Sequence, residues 1–320
     1  MTVKMHVSPE TLGWLGRAYE ELSPVSLLAV YADQSADMTE ELRRDLVAQG
    51  VLEPDGTLRP EAKTALDVLA RPEGFVRIRM DGAVARSEKV VYHRGGLTVS
   101  LDAGLERFLV RLPSPGADAI DSYREIIGGS RLVNHPFSVS LTSQEALILM
   151  GCLDLQRRSL FEALARGETG GPAVFQRGKL EEHLTGHTPS GTWLVHLLET
   201  MEGMGPADPQ ALEEALGGLT EKGLVKQEDG SIGLLADTYT LAGYFLVPSG
   251  VYNIDRGRML DAGILERSGC LVVQSSAQDL LYVDVTGGEV LVETISGAAF
   301  LEILRRLFEA GRDPGLLSLQ

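Results

Sequence analysis

Leu46-Val47-Ala48-Gln49-Gly50-Val51-Leu52 and Leu219-Thr220-Glu221-Lys222-Gly223-Leu224-Val225 carry one pattern twice: a helix end, a glycine stop and an apolar pair. The interval from Leu46 to Leu219 is 173 residues. A tight turn follows each copy, Asp55-Gly56 and Asp229-Gly230. Each turn leads into a helix-like run that ends at a proline, Pro72 or Pro248, where the interval has grown to 176. Strands then read out at Val76–Ile78 and Val251–Ile254. Arg94-Gly95-Gly96-Leu97-Thr98-Val99 is matched to Arg267-Ser268-Gly269-Cys270-Leu271-Val272. A repeat of this length fixes architecture before anything else does, and two copies predict a pseudo-symmetric pair rather than a solenoid.

Outward from the repeat, the periodicities give the elements. Ser8-Pro9-Glu10 opens a helix over 9–22, with Ser8 as N-cap, Pro9 in the tolerated first position, and Trp14, Leu15, Ala18 and Leu22 at helical spacing. Thr39 caps a helix over 40–49 that Gly50 stops, and 60–70 is a short helix. After Pro72 the period becomes two, in Val76/Ile78/Met80, Leu97/Val99/Leu101 and Phe108/Val110/Leu112, an antiparallel meander with one wet face. A helix over 117–128 closes the first copy. The second starts at a strand over 137–140 and a long helix over 143–166, capped by Thr142-Ser143-Gln144-Glu145. Strands follow near 251–255, 263–267, 270–275, 280–285 and 289–293, then a helix over 297–309. Helices, then strands, then a helix in each half predict an α+β fold: an antiparallel sheet with flanking helices, in halves 1–133 and 134–320. Residues 167–206 have no counterpart in the first half and read as an inserted helical segment.

The 320 residues are 44% apolar with a net charge of −16. Residues 1–133 hold 16 Lys+Arg against 20 Asp+Glu, and residues 134–320 hold 13 against 25. Such a surface repels a phosphate backbone, so no nucleic acid is expected as partner. Two distant cysteines, Cys152 and Cys270, without CxxC spacing fit a reducing compartment. There is no apolar signal core and no run of membrane-spanning length. The expectation is a cytoplasmic protein without a membrane partner.

Candidate chemistry is sparse. His183 and His187 stand four apart with His196 beyond, but Gly186 and Thr188-Pro189 interrupt a helix and no HExxH order exists. Two exposed histidines at a helix end are the reading preferred over a zinc site. Cys152, in Leu147-Ile148-Leu149-Met150-Gly151-Cys152, reads as a core thiol, and so does Cys270. The glycine-rich stretches lack a phosphate-binding pattern, and no catalytic motif is present. No enzyme, no cofactor and no metal are expected. Thr192–Leu246 has a winged-helix look, yet Asp208, Glu213, Glu214 and Glu221 outweigh Lys222 where a recognition helix needs cations.

Leu42-Arg43-Arg44-Asp45-Leu46, Gly50-Val51-Leu52-Glu53-Pro54-Asp55-Gly56-Thr57-Leu58-Arg59-Pro60-Glu61, Leu66-Asp67-Val68-Leu69-Ala70-Arg71-Pro72-Glu73 and Val76-Arg77-Ile78-Arg79 resemble the EspG family. These are cytosolic chaperones of mycobacterial type VII (ESX) secretion. The resemblance implies two pseudo-symmetric halves with a central sheet and flanking helices, and a role in binding a secreted PE–PPE pair, shielding its tip and delivering it for secretion. No binding residue carries over, because none matches a functional motif, and the second copy departs where Leu-Ala-x-Pro becomes Leu246-Val247-Pro248.

The expected function is therefore a cytoplasmic binding protein, chaperone or adaptor for a secreted, helical protein partner. A winged-helix transcription regulator and a ligand-binding protein of unknown specificity are the alternatives. The partner surface is expected on the inserted segment, where Phe175, Trp193, Leu197, Met201 and Met204 can form an apolar patch; packing of those residues onto the core is the competing reading.

Overall fold

A computed structural model describes residues 3–34, 37–82, 86–104, 106–114, 116–186, 193–201, 204–208, 210–260, 264–275, 279–286 and 288–309. The first half runs β1 (Val3–Val7), α1 (Pro9–Gly16), α2 (Leu27–Tyr31), α3 (Glu40–Ala48), α4 (Pro60–Ala70), β2 (Gly74–Gly82), β3 (Arg86–Arg94), β4 (Leu97–Ala103), β5 (Phe108–Leu112) and α5 (Gly116–Ile127). The second begins with β6 (Ser138–Thr142), α6 (Ser143–Ala165), β7 (Val174–Gln176), α7 (Arg177–Thr185), α8 (Leu194–Glu199), α9 (Leu212–Glu221), β8 (Val225–Glu228) and β9 (Ser231–Leu234). It ends with α10 (Ala236–Tyr244), β10 (Pro248–Met259), β11 (Leu265–Ser275), β12 (Leu280–Thr286), β13 (Glu289–Ile295) and α11 (Gly297–Glu309). The fold is α+β, as the sequence predicts.

Ten strands make one antiparallel sheet in the order β1-β5-β4-β3-β2-β10-β11-β12-β13-β6. Its register reads the same from the middle outward. Ile78 on β2 pairs with Ile254 on β10. From Ile78 the row crosses Lys89, Asp102, Leu109 and His6. From Ile254 it crosses Cys270, Asp284, Leu291 and Ser140. Two residues beyond each end stands a helix N-cap, Ser8 for α1 and Thr142 for α6, whose hydroxyls accept from Thr11 N and Glu145 N. Thr142 and Glu145 complete a reciprocal capping box.

Side-chain alternation divides the sheet into two faces. Val76, Ile78, Tyr252, Ile254, Cys270, Val272 and Tyr282 pack under α5 and α11 through Tyr123, Ile127, Phe300, Leu304 and Leu307. The opposite face carries two helical layers. Met5, Tyr92, Val99, Leu101 and Val110 lie under α1–α4, with Leu12, Leu46, Leu66 and Leu69. Leu271, Val273, Leu281, Val283 and Val292 lie under α6–α10, with Leu149, Leu198, Leu216 and Leu241.

Several expected details are corrected. The segment expected as a helix over 9–22 is helical only to Gly16, where a Cβ would meet the Leu28 carbonyl oxygen at 3.1 Å and the chain turns away. The N-terminal strand β1 and the strand β3 are additions to the strands that the alternation predicts. β11 is continuous where two strands were expected, because Ser268 and Gly269 stay in the ladder opposite Arg256 and Asp255. The match of Arg94–Val99 to Arg267–Val272 is also displaced. Gly95-Gly96 turns between β3 and β4, whereas Ser268–Cys270 lies inside β11, and β4 corresponds in the register to β12.

The two Asp-Gly turns occupy corresponding places but differ in kind. Asp229 and Gly230 both have positive φ, 49° and 74°, in a two-residue hairpin closed by Glu228 and Ser231. Asp55-Gly56 belongs to a three-residue loop closed by Glu53 N to Thr57 O at 2.7 Å, with only Gly56 at positive φ, 92°. Pro54 adds the extra residue and shortens the hairpin to the single bridge Leu52–Leu58. Gly56→Val is expected to destabilise by about 1 kcal/mol or more, since a β-branched residue is strained there. An unchanged urea midpoint would reject this assignment of the turn.

Candidate partner-binding surface

The inserted segment folds as part of a compact unit. β7, α7, α8, α9, β8 and β9 follow in order, and their small sheet is arranged β7-β9-β8. Phe175 on β7 is buried opposite Ile232, and Met201 is buried after α8. Leu197 and Met204 are partly buried against the same core, and Trp193, half-buried, holds the position before α8. The expected exposed patch of Phe175, Trp193, Leu197, Met201 and Met204 is thus replaced by an inward-facing set. These side chains supply apolar area that short helices on α6 require, which favours burial over display.

A polar group anchors this unit, and no sequence motif announced it. Asp154, fully buried in the middle of α6, accepts hydrogen bonds from Leu194 N and Val195 N at 3.0 Å each, satisfying the exposed donors at the start of α8. The Arg157 guanidinium donates to Asp154 at 2.6 Å and to the Leu246 carbonyl at 3.2 Å, and stands 6.0 Å over the Trp193 ring. His183 Nε2 lies 3.6 Å from Asp154, and its ring meets Trp193 edge-on at 5.2 Å. His183 therefore faces an aspartate and an indole, inside the layer rather than at an exposed helix end. His196 is on α8, and His187 lies outside the described residues. Among the described residues no three His, Cys, Asp or Glu side chains are grouped to hold a metal.

Both cysteines are buried. Burial pushes the Cys152 thiol far above its ordinary value, helped by Asp154. Burial also pushes Cys270 up to about 12, with Asp284 adding to it. Neither supplies a thiolate near neutral pH.

Two further features lie on the helical side of the sheet. Between the helical layers, β2 and β10 present Arg77, Arg79, Asn253 and Asp255, with Glu88 beside them on β3. Arg79 reaches Asp255 at 3.2 Å and Arg77 reaches Glu88 at 3.4 Å. This charged strip is the wet face of the meander, lying on the strand pair at the centre of the sheet. The second feature is an apolar cleft of about 490 Å³ between the end of α6 and α10, lined by Leu160, Leu164, Gly170, Tyr239, Gly243 and Tyr244. Leu164 in its wall is 58% exposed. A concave, apolar wall with few polar groups suits the side chains of another molecule.

No protein-family model and no curated protein matches the chain by sequence. A solved structure does match in its backbone. It is the Mycobacterium tuberculosis type VII secretion system chaperone EspG5 in complex with the PE25–PPE41 dimer, at a TM-score of 0.52 and 11% identity, covering 97% of this chain and 96% of that one. The chain has the EspG fold. Because the correspondence spans nearly all of both chains, the EspG fold here includes both helical layers and not the sheet alone. Among the described residues, no helix is long and apolar enough to cross a membrane.

Proposed function

We propose that the chain is a non-enzymatic cytoplasmic chaperone or adaptor that binds a secreted protein partner. The observation that carries this reading is the EspG fold shared over 97% of the chain with a secretion chaperone whose structure contains a bound protein dimer. The apolar cleft and the charged strip, both on the helical side of the sheet, supply surfaces of the kind a protein partner uses. The halves 1–133 and 134–320 are read as the product of an internal duplication, and the matching register from Ile78 and from Ile254 supports this. The reading is tested by co-expressing the full chain with each secreted protein encoded beside its gene and purifying through a tag on the chain. A stoichiometric complex that survives gel filtration is expected. Elution of the chain alone in every pairing would remove the proposal.

One observation favours the rival reading as a regulator. Among the described residues, 174–234 place helices α7–α9 before the hairpin β8–β9, with β7 added at its edge in the order β7-β9-β8, an arrangement similar to a winged-helix unit. The charges oppose it. Leu212, Ala215, Leu216 and Leu219 turn one side of α9 into the core, which leaves Glu213, Glu214 and Glu221 on its open side. Duplex DNA is therefore expected to show no mobility shift with the protein at moderate salt. A shift whose affinity falls steeply with rising salt would restore the regulator.

A further inference from the structure

The cleft beside α10 has a counterpart in the first half, and there it is filled. α4 begins at Pro60 and α10 at Ala236, and Gly74 and Gly250 take corresponding places in the paired strands β2 and β10, so one interval of 176 relates helix and strand together. Thr64 and Thr240, at that interval, bond back through their hydroxyls to Pro60 O and Ala236 O, both at 2.8 Å. The same interval relates Asp67 to Gly243 and Ala70 to Leu246.

On α4 these positions are covered by the chain itself. After the short α1, residues 19–25 cross the helix in non-helical form. The Tyr19 hydroxyl donates to Asp67 at 2.9 Å, Ser23 N donates to the Ala70 carbonyl at 2.9 Å, and Arg71 Nε donates to the Glu21 carbonyl at 3.3 Å. Leu22 and Val25 pack on the core beneath. In the second half α6 stays helical to Ala165 and cannot repeat this crossing. It reaches the Leu246 carbonyl only with the Arg157 side chain, at 3.2 Å. The place over Gly243 stays open, walled by Leu160, Leu164, Tyr239 and Tyr244. A Cβ built on Gly243 meets no heavy atom within 4 Å.

We propose that this cleft receives a short non-helical segment of the protein partner, bearing an aromatic ring and a leucine three residues later, in the place Tyr19 and Leu22 take on α4. The proposal rests on the partner-binding reading and names the part of the partner that docks. The ring needs no hydroxyl, because glycine stands where α4 offers Asp67. The molecule thus shows in one half the kind of chain that completes the other.

The test adds a synthetic peptide with the sequence of residues 17–26, Arg-Ala-Tyr-Glu-Glu-Leu-Ser-Pro-Val-Ser, to the full-length protein with labelled leucine and valine methyls. Saturable shifts are expected at Leu160, Leu164 and Leu246. They should vanish when the peptide carries Tyr19→Ser and Leu22→Ser. Gly243→Leu fills the cleft from an open helix position, so it should weaken binding at least tenfold while the remaining spectrum and the melting temperature stay unchanged. Shifts confined to the first half, no shifts at the cleft, or equal binding to Gly243→Leu would overturn the proposal. So would movement of the same methyls by Leu317→Asp before peptide is added, since the chain's own end would then be the occupant. The peptide requires no partner, so failure here is separate from failure of co-purification.

Discussion

Asp154→Ala is expected to cost about 3–5 kcal/mol of folding stability, the range for breaking a buried ion pair from one side. The aspartate and Arg157 are both almost fully excluded from water. Truncating the acid leaves a buried guanidinium without its carboxylate and orphans two backbone donors at the start of α8. Within that loss, each orphaned donor accounts for about 1–3 kcal/mol where water cannot reach it. Asp154→Leu with Arg157→Met removes both charges and should lose far less stability than the sum of the two single losses, although the α8 donors remain unsatisfied. Urea midpoints with unchanged slopes provide the measurement. A loss below about 1 kcal/mol for Asp154→Ala would show that Asp154 does not anchor the inserted unit.

Acid is expected to destabilise the protein through His93 as well as through its carboxylates. His93 is buried on β3 between Gly74 and Thr98, and neither ring nitrogen has a hydrogen-bond partner among the described residues. Burial lowers its pKa from 6.5 to about 4, so the folded protein holds the ring neutral. Between those values the unfolded chain binds the proton and the folded chain does not, so stability rises with pH across that window. The contribution is complete above about pH 6.5, is lost as pH falls, and has gone by about pH 4. A shift of this size corresponds to about 3 kcal/mol. Subtracting the stability of His93→Leu from that of the parent at each pH isolates this contribution from the carboxylates. A difference that stays flat from pH 7 to pH 4 would show that the ring is solvated or partnered.

The architecture was legible because it rests on local signals. Asp55-Gly56, Asp229-Gly230, the caps at Ser8, Thr39 and Thr142, and the two-residue alternation from Val76 onward are written in adjacent residues. The end of α1 was not legible, since the contacts that hold the chain beyond Gly16 off the helical path, Tyr19 to Asp67 and Ser23 to Ala70, are made with residues far away in sequence. β1 is short and finds its partner β5 about a hundred residues away, a pairing no local pattern reveals. The inward direction of Phe175 and Met201 was not legible for a related reason. Phe175 and Met201 are apolar whether they face a partner or a core, and their direction is decided by α6 and its buried Asp154. The cleft over Gly243 left one trace, the 176-residue interval that sets Gly243 where α4 has Asp67.

The pairing of Ile78 with Ile254 has a further consequence for assembly. On the proposed duplication, Ile78 meets its own counterpart across an antiparallel seam, which is the geometry of an isologous dimer contact, the same patch on both sides of a two-fold axis. A polypeptide containing one half alone would carry an unpaired β2 edge suited to a second copy of itself, and its sheet would form only above some threshold concentration. Joining both halves in one chain makes that encounter intramolecular and removes the dilution penalty. It also frees the halves to differ, so that one closes its own helix groove with Tyr19 while the other leaves the equivalent groove open.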